Sequence, residues 1–344
     1  MEEMYESWES RAPQPDLEAE LKKLRRSLRR RNWKIISISL ILAAAILIGT
    51  VNYAIPALEG LYWDPDTTSY GTQSTDLEMT FYAYCNLFNN SLMVCDIHTA
   101  RTGFASYSLT LESLSYDTGK RDFGYATLEK GKLTVQDGFW DDIGHSYVGN
   151  NIRDTSKDNM RILHQLPDYI RVGCYVTFRE DISMEEALSL KRSLVQDIQH
   201  TDNYTNIQWL GIRHQEKAYT RPCGLTLHGF YGLFDEVTAW YPYFTGTTLD
   251  ASGEVLDMEL SSEAERAEEQ FKSLLRYLHD QQEKGEGIEV PDYPSYYADA
   301  LQYVEENGVK VYGCYIIASA KRLLEINEMD NVKYLYPVEA WINI

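Results

Sequence analysis

Cysteine is scarce in this chain of 344 residues: five, at positions 85, 95, 174, 223 and 314, widely spaced and without a C-x-x-C pair. An odd, scattered set excludes a small disulfide-framework protein. Catalytic signatures are missing too. There is no H-E-x-x-H, no G-x-S-x-G, no S-x-x-K and no G-x-x-x-x-G-K. The seven histidines (98, 145, 164, 200, 214, 228 and 279) never recur at ligand spacing. His228-Gly229 inside LTLHGFYG reads as the middle of a strand, and Asp141-Asp142 after Trp140 as a solvated turn. The expectation is therefore no catalytic residue, no metal and no cofactor. Cations are also in deficit: 32 Lys and Arg against 52 Asp and Glu leave a net charge of −20, which argues against direct nucleic-acid binding.

The most informative absence is of charge between Ile35 and Leu58. Residues 35–55, IISISLILAAAILIGTVNYAI, would make an α-helix about 31 Å long, enough for the hydrocarbon layer. Trp33 and Tyr53 stand at its ends, where amphipathic rings favour the interface, and Pro56 follows where the helix has a reason to stop. A core helix would show a polar stripe, and a signal peptide a shorter leader and a shorter apolar run. Lys22, Lys23, Arg25, Arg26, Arg29, Arg30, Arg31 and Lys34 crowd the N-terminal flank, whereas the first Lys or Arg beyond the span is Arg101. The positive-inside rule then sets the N-terminus in the cytoplasm of a single-pass cell-membrane protein, with the C-terminal part extracytoplasmic.

What is present divides into four stretches. Residues 1–34 form a cytoplasmic tail carrying about +2, so the remainder carries about −22. Within the tail, Met4, Tyr5 and Trp8 precede Pro13 and Pro15, and Leu17, Leu21, Leu24 and Leu28 then recur at helical steps opposite Lys and Arg. Such a stripe suits docking of a cytosolic partner, and a basic helix lying on anionic lipid is the alternative. Residues 35–56 are the span. Residues 57–160 read as a β-rich membrane-proximal unit, a reading favoured by 26 tyrosines. In it, 77–88 and 92–98 alternate as a hairpin that sets Cys85 opposite Cys95, open to a cross-strand disulfide although two buried thiols are preferred. Further strands are expected at 107–115, 123–128 and 132–136.

Residues 161–344 contain an internal repeat. IRVGCYVTF from Ile170 and KVYGCYIIA from Lys310 share Gly-Cys-Tyr. Each is followed by a helical stretch, from Ser183 and from Ala320, and then by a strand, NIQWL from Asn206 and NVKYL from Asn331. The expectation is a duplicated β-α-β unit closing around a pseudo-twofold axis, giving an α+β or α/β ectodomain. Between the copies, helices are expected near 262–284 and 295–306, ended by Gly285 and by Asn307-Gly308.

The basic juxtamembrane run, KIISISLILAAAILIGT, ALEGLYWDP and TFYAYCNLFNNS resemble the N-terminal module of the Firmicutes sigma factor regulator family, and LPDYIRVGCYVTFREDISMEEALSL resembles the start of its C-terminal module. The resemblance implies a membrane-bound, anti-sigma-factor-like protein of a Gram-positive bacterium that couples an outer domain to a cytoplasmic sigma factor. The tail departs from zinc-type anti-sigma domains in having no histidine or cysteine, so capture would rest on Met4, Tyr5, Trp8 and the leucines. The rival reading is a membrane-tethered extracytoplasmic domain that binds a ligand or protein and never touches a sigma factor. A surface enzyme is the third.

Overall fold

The computed structural model describes residues 15–70, 74–88, 92–115, 121–135, 156–167, 170–195, 205–216, 222–227, 237, 239–245, 262–290 and 293–342. Met4, Tyr5, Trp8, Asp141, Asp142 and His228 lie outside them. The chain divides into two compact units, Met1–Leu61 and Tyr62–Ile344.

The first unit is helical. Helix α1 (Pro15–Gly49) passes through a π-helical turn (Thr50–Ala54) into α2 (Ile55–Glu59). The helix does not stop at Pro56, as the sequence suggested. Proline at that position removes one backbone donor and crowds the carbonyl four residues earlier, and the wider turn just before it accommodates both.

The second unit opens with a correction. Residues 77–88 are not a strand but lie in helix α3 (Asp76–Phe88), all but one of whose residues are buried. A segment apolar on every side fits either period, and a capping box decides it: the Thr75 hydroxyl accepts from the Glu78 amide at 3.2 Å while the Glu78 carboxylate accepts from the Thr75 amide at 2.8 Å. The cross-strand geometry that set Cys85 opposite Cys95 is thereby removed. Cys85 is a buried free thiol, and the Cys95 side chain lies outside the described residues.

Strands β1 (Leu92–Gly103), β2 (Ser106–Ser115), β3 (Arg121–Glu129) and β4 (Lys132–Val135) form an antiparallel meander in chain order. Lys130 and Gly131, at φ 51° and 80°, supply the positive-φ pair of the two-residue β3–β4 turn. The sheet is not a separate core: Leu109, Leu111, Ala126 and Leu128 bury into the cluster that also holds α3 and the C-terminal strands.

After α4 (Ser156–Gln165) comes the repeat. Its first copy is β5 (Ile170–Ser183), α5 (Met184–Val195) and β6 (Thr205–Ile212). The short β7 (Gly224–Thr226), α6 (Glu263–Lys284) and α7 (Tyr296–Asn307) intervene, and the second copy is β8 (Lys310–Ser319), α8 (Ala320–Asn327) and β9 (Val332–Ile342). Ser262 caps α6 through a reciprocal box with Glu265, and Gly285 ends it at φ 78°. The strands order as β7-β6-β8-β5-β9, all neighbours antiparallel. Each copy's two strands are thus parallel and separated by one strand of the other copy, the split β-α-β arrangement of ferredoxin-like sheets.

The expected pseudo-twofold is realised in the central ladder. Tyr175 pairs with Tyr315, and Cys174 with Ile316. One face of the sheet sends Val172, Cys174, Val176, Cys314, Ile316 and Ala318 into the main core under α5, α6 and α8. The other carries a second cluster of Tyr175, Trp209, Tyr312, Tyr315 and Ile317. Tyrosine is as prominent on helices as on strands. Tyr277 donates to the Asp76 carbonyl at 3.0 Å, and Trp209 and Thr226 donate to the Leu87 and Asn86 carbonyls that α3 leaves unpaired at its end.

Candidate functional site

In the first unit, Leu17, Leu21, Leu24 and Leu28 fall within an arc of about 60° at 100° per residue, and the basic residues of the flank spread over the rest of the circumference. All four are exposed, at 57%, 49%, 61% and 47%. An apolar stripe open to this degree has no partner among the described residues of its unit. Residues 35–48 continue the helix with large aliphatic side chains equally exposed, such as Leu40 at 67% and Ile41 at 68%. Leu17–Glu59 is the one helix among the described residues long and apolar enough to cross a membrane. Two of its polar side chains bond back to the helix itself: Thr50 donates to the Ile46 carbonyl and Asn52 to the Ile48 carbonyl, both at 2.9 Å. The 43-residue helix is about 64 Å long, roughly twice the hydrocarbon thickness, so the leucine stripe and the span fit end to end without competing for residues.

The second unit holds a group of chemically capable side chains that the spacing of the sequence did not reveal. His214 is enclosed between β6 and α7. Its Nδ1 donates to the Ile212 carbonyl at 3.2 Å, which leaves Nε2 to accept from the Tyr296 hydroxyl at 2.9 Å. Burial lowers the imidazole to about 4, keeping it neutral. The Cys223 thiol beside Tyr296 is pushed up, again by burial. Cys85 and Cys174 are raised for the same reason, and Cys314 reaches about 12. A neutral imidazole and protonated thiols sealed from solvent make a satisfied interior, not an activated nucleophile. Among the described residues, no group of three or more His, Cys, Asp or Glu is placed to hold a metal ion.

Residues 163–336 match the family described as sigma factor regulator C-terminal. The matched stretch starts in α4 and ends in β9, so it takes in nearly all of both copies of the repeat and everything between them. No curated protein and no solved structure matches the chain.

Proposed function

The chain belongs to the sigma factor regulator C-terminal family, and from that premise we propose that it is a single-pass membrane regulator whose N-terminal tail engages a cytoplasmic sigma factor. The observation that carries the reading is the exposed leucine face of α1, continuous with a charge-free span and linked in one chain to a domain of a regulatory family. Eight Lys and Arg on the N-terminal flank favour a cytoplasmic tail, with Tyr62–Ile344 on the outer side as the sensing part. The described part of the tail, residues 15–34, is a single exposed helix without a core. The partner therefore supplies most of the buried surface, and Leu17, Leu21, Leu24 and Leu28, with Met4, Tyr5 and Trp8, supply the anchors. In this reading the protein acts by binding and not by catalysis.

The test is co-purification. Full-length protein solubilised from its own cells retains a small sigma factor, and Leu21→Asp with Leu24→Asp releases it without altering membrane insertion. Retention of the sigma factor by that double variant rules out this docking face. If no sigma factor is retained by the unaltered protein, a tethered extracytoplasmic binding domain is the better reading.

A further inference from the structure

The two halves of the repeat differ at one junction. Ser183 and Ser319 each accept from the backbone amide three residues on, at 3.2 and 3.3 Å, and so start α5 and α8 in the same way. In the second half the cap follows the matched strand directly. In the first half residues 179–182 are interposed, and the β5–β8 register breaks between Thr177 and Ile182. The fold closes without these four residues on one side of its axis, so the architecture does not require them.

Of the three charged residues in the insert, Arg179, Glu180 and Asp181, two have separate destinations. Asp181 forms a two-point ion pair with Arg213. Arg179 goes to the opposite neighbour: its amide donates to the Asn331 carbonyl at 2.9 Å, and the residue lines an open cavity of about 630 Å³ between α4 and the α8–β9 turn. Arg161 and His164 from α4 and Lys333 from β9 line the same cavity, together with Gln165, Asn327, Met160 and Val332. Among the described residues no carboxylate lines it, although Glu180, Glu328 and Asp330 are adjacent in the chain. In a protein of net charge −20, three cations and a histidine brought to one hollow whose described lining is otherwise uncharged form a local reversal of sign.

We propose that this cavity is a binding site for a phosphate group, soluble or on an anionic lipid headgroup. Guanidinium groups match phosphate oxygens two at a time, the lysine adds a point charge, and Gln165 and Asn327 add uncharged donors. The site is independent of any sigma factor contact.

The experiment is calorimetric titration of pyrophosphate into the full-length protein in neutral detergent, at constant ionic strength. Saturable binding is expected. Arg179→Gln and Lys333→Gln should each weaken it at least tenfold at unchanged thermal midpoint, whereas Lys132→Gln on β4 leaves it intact. Absence of saturable binding overturns the site, as does affinity that both cavity variants leave within twofold. Repeating the titration in nanodiscs with and without phosphatidylglycerol separates the sources. Competition by the anionic lipid assigns the site to a headgroup, and its absence assigns it to a soluble phosphate.

Discussion

Tyr175 and Tyr315 occupy the same position in the two halves of the repeat and pair with one another across β5 and β8, with ring centroids 5.1 Å apart. The pseudo-twofold axis passes between them. Both are nearly inaccessible, at 3% and 1%. Each Tyr→Leu substitution should destabilise the protein by about 1–3 kcal/mol, and a double-mutant cycle should return a coupling of about 1 kcal/mol beyond lost burial. Chemical denaturation of the four proteins in detergent checks this; additive effects would show that the rings merely share a face.

The floor of that face is glycine. A methyl group on Gly211 would lie 2.6 Å from the Tyr312 ring, and one on Gly224 would overlap the Leu210 carbonyl and the Trp209 ring. Gly224→Ala should therefore cost about 3 kcal/mol or more, because its obstacle includes backbone, and Gly211→Ala less, because a ring can shift. Thermal midpoints of the two variants should fall in that order.

Gln208 is 1% exposed, and among the described residues neither atom of its side-chain amide has a hydrogen-bond partner. An amide in that condition carries a desolvation cost of about 1–3 kcal/mol. Gln208→Met keeps the length and removes the polar atoms, so it should raise stability by about 1–2 kcal/mol, visible as a higher midpoint in the same assay. A lower midpoint would mean that the amide is used in a bound state.

His214 sets an acid limit. Its folded-state pKa is lowered to about 4 by burial, against about 6.5 in the unfolded chain. The unfolded state therefore binds more protons between these values. The contribution is fully present above about pH 6.5 and is lost as pH falls towards 4, amounting to about 3 kcal/mol at the lower end. Stability measured at pH 7, 6, 5 and 4 should decline accordingly, and His214→Phe should flatten that part of the curve.

The legible parts of the molecule were those encoded by local pattern. The lack of charge from Ile35 to Leu58 marked the span, and the Gly-Cys-Tyr pair at 173–175 and 313–315 marked the duplicated strands before their register was known. Gly285 marked the end of α6 for the reason found, a left-handed residue that glycine adopts freely. Residues 77–88 misled because a segment buried on all sides has no polar face to reveal its period. Thr75 and Glu78 held the missing information. The cavity of Arg161, Arg179 and Lys333 was beyond reach from spacing: its cations come from three elements that meet only after strands of the two copies interleave.

The unbroken helix from Pro15 to Glu59 fixes the rotational phase of the leucine face relative to the span. Each residue added between Lys34 and Ile35 would turn that face by about 100°, so one inserted alanine points it to another side of the span. Seven restore it to within about 20° while moving it about 10 Å along the axis. The tail is thus indexed like a key on a shaft: azimuth and reach are set by the number of residues, and can be varied separately.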